Sequence, residues 1–400
     1  MSQLSKVKIC VIFGPCPSRG PDKIHLANFL RLLEPLAEEV FVIGSNLPES
    51  LASSQRIHAR SVNRSSNSGG ILMRTPRYLM LQLRMSRHLI RIARRVDVVI
   101  LGTGAGDMVL PALWAKLAGK KMISIRSGTD TTRVFSDFDY QKALLGIGKH
   151  LLPKAARVLE KAIYRLCDRV VIFRSELTSP VLERYRDKVI PGGSRFFVDT
   201  SFFRVETDLD DRQDLVAYFG HLDGLKGAMN FVKAIPPVLK GAAASFLICG
   251  NGVLQRDIEE EIKNKDLGDQ VALVDWVPHR EMPGYLNRVR LLVIPSYTEV
   301  GPQILFEAIA CGTPVLATPV GIIPDVIKDG KTGFIMENNS PQCIAKNVLR
   351  ALSSPDLSLI TKNARALVEK EYTYEAAVER YRNILESISS SKGGANHEKG

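Results

Sequence analysis

Short apolar runs alternate with longer amphipathic stretches along most of the 400 residues, and that alternation leaves few folds open. A run such as Lys8–Phe13 (KICVIF) is too short for a stable helix and too uniformly apolar for a half-exposed strand. It reads as a strand buried on both faces. A Gly- and Pro-rich loop at 14–20 follows, then a helical pattern over His25–Glu38 and a second strand at Phe41–Gly44. Strand, loop, helix, strand is a βαβ unit, and such units build parallel sheets. The same reading predicts strands at Val96–Leu101, Lys121–Ile125 and Arg169–Phe173. It predicts helices over Arg74–Arg95, up to Leu117, and over Lys154–Leu166, with Ser61–Gly70 as a polar loop.

The second half repeats the pattern. Strands are expected at Leu215–Phe219, Ser245–Cys249, Val271–Val274, Leu291–Ile294 and Pro314–Ala317. Helices are expected between them, at Ala228–Leu239, Leu254–Asn264, Glu281–Asn287 and Gln303–Cys311, and two more after Pro341. Pro and Gly cluster at Ile190–Ser194 (IPGGS), which marks a boundary. The chain is therefore expected to be α/β, with two Rossmann-like, doubly wound parallel-sheet domains, 1–190 and 191–373, facing across a cleft. A helix at about 374–388 would pack back on the first domain, and 389–400 would form a disordered tail. Ligands of this architecture bind at the carboxyl ends of the strands.

Charge divides at the same boundary. Residues 1–190 hold 31 Lys and Arg against 15 Asp and Glu, a surplus of +16; the remainder carries −4. Ser50–Arg95 contains ten arginines and no acid. One cationic body beside a nearly neutral one points to a polyanionic partner on one side. Arg74–Arg95 reads either as a basic amphipathic helix on an anionic membrane surface or as a core-packed helix with a solvated cationic face. Nucleic acid fits less well, because Tyr78 is the only aromatic among these arginines. No apolar run reaches the ~18 residues of a membrane span, and Met1–Cys10 lacks the apolar core of a secretory signal. The six cysteines form no C-x-x-C pair and read as buried thiols of a reducing compartment.

Chemistry concentrates in Pro295–Gly321 (PSYTEVGPQILFEAIACGTPVLATPVG). Glu299 falls in the loop after a strand, and Glu307 falls inside the following helix. The helix start at Pro302–Ile304 offers unpaired backbone N–H groups and a positive dipole end, with Pro302 placed in the first turn. Amides for phosphates and carboxylates for ribose and sugar hydroxyls would suit a nucleoside diphosphate sugar. The plainer alternative is a capping acid at Glu299 and a solvated Glu307.

The wording of this region resembles the donor-binding domain of retaining glycosyltransferases of family four, which have the GT-B fold. Their P-S-x-x-E-x7-E-A-x-A-x-G-x-P-V signature is matched by Pro295, Ser296, Glu299, Glu307, Ala308, Ala310, Gly312, Pro314 and Val315. A V-G-x-I-P-[ED] segment follows at Val320, Gly321, Ile323, Pro324 and Asp325, and a D-G-x-T-G turn at Asp329, Gly330, Thr332 and Gly333. The resemblance is dense over Leu215–Leu352 and looser before it. It implies a donor site of Gly20, His221, Lys226, Gly250, Asn251, Val277, Glu299, Gly301, Gln303, Ile304 and Glu307. Catalytic roles would fall to Glu299, Lys226 and Asp130, and acceptor-side roles to Arg19, Arg126 and Ser127.

Two departures from the family pattern stand out. In the G-R-L-x-x-x-K-G loop the lysine is present as Lys226, but His221 replaces the arginine that would fork onto the diphosphate. In the H-G-x-D segment, Ser127 replaces the histidine beside the donor sugar. Retaining transfer needs no strong base there if the leaving diphosphate accepts the acceptor's proton. The resemblance implies no cofactor and no metal, since Lys226 and backbone amides would carry the phosphate charge. The D-x-D matches at Asp137–Asp139 and Asp208–Asp210 lie outside the donor segments. The expected activity is sugar transfer to a lipid-linked or surface-glycan acceptor, in the cytoplasm or at the inner face of the cell membrane. The departures keep two alternatives open: a nucleotide-sugar epimerase of the same fold, and a catalytically silent partner subunit.

Overall fold

The computed structural model describes residues 7–13, 22–45, 47, 55–62, 71–102, 105, 108–126, 148–177 and 179–389. The predicted site residues Arg19, Gly20, Ser127 and Asp130 lie outside the described residues, as do Asp137, Asp139 and the tail from 390. The chain divides into two compact units, 1–195 together with 377–400, and 196–376.

The first unit is built on a parallel sheet of seven described strands. They are β1 (Lys8–Ile12), β2 (Glu39–Gly44), β3 (Ile57–Ser61), β4 (Val98–Leu101), β5 (Lys121–Arg126), β6 (Arg169–Ile172) and β7 (Val189–Ile190). Their spatial order is β3-β2-β1-β4-β5-β6-β7, so the winding reverses between β1 and β4. β1, β2 and β4 are almost wholly buried, which is why they read as continuous apolar runs. Helices α1 (Asp22–Leu33), α2 (Ile71–Ile92), α3 (Val109–Leu117), α4 (Gly148–Leu166) and the single turn α5 (Pro180–Glu183) make the connections. Met85 and Leu89 of α2, Ala112 and Ala115 of α3 and Ile163 and Tyr164 of α4 share one core with β1 and β4.

The second unit carries a six-stranded parallel sheet. Its strands are β8 (Leu215–Phe219), β9 (Ser245–Cys249), β10 (Val271–Val274), β11 (Leu291–Ile294), β12 (Val315–Ala317) and β13 (Phe334–Ile335). The order β10-β9-β8-β11-β12-β13 places the switch point between β8 and β11. Its helices are α6 (Ala228–Leu239), α7 (Gln255–Asn264), α8 (Met282–Leu286), α9 (Gln303–Ala310), α10 (Ile323–Val326), α11 (Pro341–Leu352) and α12 (Leu357–Glu371). A last helix, α13 (Tyr374–Ser389), begins in this unit, where Tyr374 packs edge-on against Phe197. Its later turns belong to the first unit. There Tyr381 packs edge-on against Phe29 and donates a hydrogen bond to the Gly193 carbonyl.

The structure corrects the sequence reading in a few places. Three helices follow Pro341 where two were expected, because the chain breaks at both 353–356 and 372–373. Strand β3 was not anticipated; it is an edge strand whose one buried residue is Ile57. Strands β7 and β13 are two residues each, too short to leave a period. The thiols of Cys10, Cys167 and Cys311 are buried, which pushes each up to about 12. Among the described residues no helix is long and apolar enough to cross a membrane.

One buried cation organises the second unit. Arg212 donates to the carbonyls of Thr207, Leu286, Val289 and Cys311 and to Thr313 Oγ1, between 2.7 and 3.3 Å. Burial lowers its pKa to about 10, so it remains charged at neutral pH.

Candidate active site

The loops after β8 and β11 leave neighbouring strands at the switch point and are tied together there. Tyr297 N donates to the Leu225 carbonyl at 2.8 Å. Gly227 takes a left-handed φ of +71° immediately before α6, and a Cβ there would collide with the Pro295 carbonyl. Gly250, at the end of β9, sits so close to the Gly220 carbonyl that no side chain fits. Leu222 N then donates to the Asn251 carbonyl, so the loops of β8 and β9 are joined as well.

This framework brings Lys226 and Glu299 together. Lys226 Nζ lies 2.7 Å from Glu299 Oε1, and Ser296 Oγ donates to the same oxygen at 2.8 Å. The Glu299 side chain is 8% exposed and that of Lys226 32%, so the pair sits at the rim of the sheet with the ammonium toward solvent. Asp223 Oδ1 accepts from Lys226 N and closes the turn that aims the lysine. Glu299 makes no side-chain hydrogen bond as a helix cap, so the capping alternative does not describe it.

Glu307 is the second buried carboxylate. It lies in the second turn of α9, 6% exposed, and its Oε1 is 3.0 Å from His279 Nε2. Solvated it is not. His279 comes from the loop after β10 and is flanked by two rings, Phe202 at 6.1 Å and Phe203 at 5.2 Å between centroids. Its hydrogen bond to Glu307 raises the imidazole pKa, with burial opposing and the Glu307 charge adding to the rise. Phe202 also lines a cavity of about 630 Å³ together with Arg204, Arg280, Tyr285 and Arg288.

The other predicted donor residues fall around these two pairs. His221 stacks on Trp276, with ring centroids 5.3 Å apart. Asn251 Nδ2 donates to Asp275 Oδ1 at 3.0 Å, one residue before Trp276. Val277 is buried. Gly301 lies against the Phe196 ring. Gln303 donates its side-chain amide to the Phe197 carbonyl, which leaves its backbone N–H, with that of Ile304, to open the first turn of α9. Pro302 stands just outside that turn in an extended conformation, as the N-cap residue, and not inside it as expected. In the first unit, Arg126 ends β5 with its guanidinium 5.3 Å above the Tyr164 ring. Asp210 accepts from Ser358 Oγ, away from the donor loops.

Three participants were not singled out in the sequence: Ser296 as a site residue, His279 and Trp276. The available signal was position. His279 and Trp276 follow the carboxyl end of a strand, where side chains of such sheets meet ligands.

Residues 199–386 match the family described as Glycosyl transferases group 1. The chain is 30% identical over 183 residues to an alpha-D-kanosaminyltransferase of Streptomyces kanamyceticus, covering 45% of this chain and 47% of that protein. It is 23% identical over 259 residues to a D-inositol 3-phosphate glycosyltransferase of Corynebacterium jeikeium, 59% of this chain and 61% of that one. The chain thus spans about half the length of the curated relatives it matches. In structure it is similar to the Anabaena protein HepE solved in complex with UDP, with a TM-score of 0.73 at 14% identity, covering 96% of this chain and 100% of that one.

Proposed function

We propose, on the premise that residues 199–386 belong to the glycosyl transferases group 1 family and that both units have the GT-B fold, that this protein is a retaining glycosyltransferase. Its donor is a nucleoside diphosphate sugar and its acceptor a lipid-linked or surface glycan. The observation that carries the reading is the Lys226–Glu299 pair, held at the switch point of the sheet beside the start of α9. HepE, one structural neighbour, was solved in complex with UDP and with UDP-glucose, which supports a nucleotide sugar as the ligand.

The chemistry follows from the charges. An ammonium has three donors, so Lys226 can keep Glu299 and still reach a phosphate oxygen. The donor's anomeric C–O bond breaks, its electron pair leaves with the diphosphate, and Lys226 with the first amides of α9 stabilises the charge that develops. The acceptor oxygen bonds the same face of the anomeric carbon, and its proton passes to the departing phosphate oxygen. Glu299 offers its remaining oxygen to sugar hydroxyls, and Glu307 offers its own to the ribose. A catalytic role is assigned to Asp130, acceptor-side roles to Arg19, Arg126 and Ser127, and a donor-binding role to Gly20.

The cationic first unit docks on an anionic membrane surface, where a lipid-linked acceptor would be presented. A thermal-stabilisation screen of nucleotide sugars, followed by transfer assays with the best ligand, tests the reading. Stabilisation and transfer are expected, both lost in Lys226→Ala. An epimerised nucleotide sugar, or binding with no turnover toward any acceptor, would replace it by one of the two alternatives above.

A further inference from the structure

Six exposed residues of helix α2 form an apolar edge and a cationic one, with the exposed Met80 lying among the arginines. At 3.6 residues per turn, Leu79, Ile90 and Leu83 fall within about 40° of one another, and Arg87, Arg91 and Arg84 follow over about the next 100°. All six are exposed. The apolar edge is the one that meets α3. The two helices run side by side in the same direction: Tyr78 contacts Met108 Sδ, and Gln82 Oε1 accepts from Leu110 N. Farther along, Ile90 and Ala93 line a groove of about 200 Å³ with Trp114 and Leu117. The groove is almost entirely apolar, and Lys120 is its one charged lining residue.

Helix α3 continues the apolar surface. Leu113, Trp114 and Leu117 are exposed, Leu117 to 69%. Large apolar side chains clustered on two adjacent helices are not the ordinary scatter of a soluble surface. Arg84, Arg87 and Arg91 border them on one side, and Arg94 follows in the turn after α2. No acid lies anywhere from Ser50 to Arg95. An apolar strip with an indole at its edge, rimmed by Arg84, Arg87, Arg91 and Arg94, matches the layering of an anionic bilayer surface. Acyl chains meet the strip, the interface meets the indole and phosphates meet the guanidiniums.

We propose that the α2–α3 face inserts shallowly into an anionic lipid bilayer, with Trp114 and Leu117 at the acyl boundary and Arg84, Arg87, Arg91 and Arg94 on the headgroup phosphates. The proposal rests on the docking reading above and sharpens it from charge attraction to insertion at a defined face. It is independent of the chemistry assigned to the second unit.

The chain's two tryptophans make the test direct. Trp276→Phe leaves Trp114 as the sole indole in the full-length protein. With vesicles of phosphatidylcholine and phosphatidylglycerol, Trp114 emission is expected to shift to the blue and to be quenched by lipids brominated on their acyl chains. The neutral double change Leu83→Ser with Leu117→Ser preserves every charge and alters only exposed positions. It is expected to weaken vesicle partitioning by about tenfold or more, with the circular dichroism spectrum unchanged. Sedimentation with these vesicles while Trp114 stays unshifted and unquenched would overturn insertion yet leave electrostatic docking standing. Failure to sediment at all would overturn both. Equal partitioning to phosphatidylcholine alone would remove the role given to the arginines. A blue shift that tracks protein concentration without lipid would identify the face as a contact between copies of this chain.

Discussion

Lys226 Nζ and Glu299 Oε1 are 2.7 Å apart although 73 residues separate them in the chain. Their strands, β8 and β11, are neighbours only because the winding of the second sheet reverses between them. The pair therefore exists because of topology, and the sequence motif around each residue serves to hold the loops that carry it.

Glu299 is assigned to the sugar and not to the nucleotide. Glu299→Gln keeps the shape and the bond from Ser296 but removes the charge opposite Lys226. Turnover is expected to fall while nucleoside-diphosphate affinity stays within about threefold, a loss confined to the transition state. Calorimetric titration of the nucleotide beside steady-state rates checks this; an equal loss of nucleotide binding would move Glu299 to the nucleotide.

Glu307 is assigned to the ribose. Removing a charge-assisted hydrogen bond costs roughly 1.5–3 kcal/mol, so Glu307→Ala should weaken nucleotide binding by about tenfold or more. Because Oε1 is already held by His279, His279→Ala should weaken it less than Glu307→Ala does. An unchanged dissociation constant in Glu307→Ala would remove the assignment.

The His279–Glu307 bond also sets a pH dependence. The folded imidazole titrates above its ordinary value, chiefly because it donates to Glu307. Its contribution to stability is full below the unfolded value of about 6.5 and is lost as pH rises through the raised folded value. The stability difference between the wild type and His279→Gln should therefore be present in mild acid and shrink through neutrality. A difference that grows with pH would contradict the pair.

Arg212 predicts a large effect far from any ligand. Arg212→Leu removes the guanidinium donor from the carbonyls of Thr207, Val289 and Cys311 and from Thr313 Oγ1, while the Leu286 carbonyl keeps Thr313 Oγ1 and Val289 N. Each unsatisfied buried group costs about 1–3 kcal/mol, so a loss of at least about 3 kcal/mol is expected. Urea unfolding followed by Trp276, which lies in this unit, measures it.

Most of the second unit was legible in the sequence because its strands are short, apolar and buried, and its loops carry glycines whose positions the backbone dictates. Gly227 and Gly250 are examples: each lets one loop touch the next. What stayed hidden was partnership. A sequence places His279 in a loop and Glu307 in a helix, but only the closeness of the β10 and β11 loops shows that one holds the other. The basic helix was equally half-visible. Its arginines are plain in the sequence, whereas the apolar edge becomes a surface only when α3 brings Trp114 and Leu117 alongside.

His88 offers an independent reading of that surface. Burial, then Arg91, Arg60 and Arg87, hold its imidazole below the ordinary range. An anionic bilayer that neutralises these arginines should raise it. Titration of the His88 resonances with and without phosphatidylglycerol-containing vesicles would show the change; no movement on binding would place the lipid elsewhere.

Sugar transfer with retention at the Lys226–Glu299 pair, as proposed, fixes the anomeric configuration of the product. Its most direct test is proton NMR of the anomeric signal in the product formed from an α-linked nucleotide sugar, for the wild type and for Lys226→Ala. An α-linked product is expected from the wild type and none above background from the variant. A β-linked product, or an equal rate in Lys226→Ala, would contradict it.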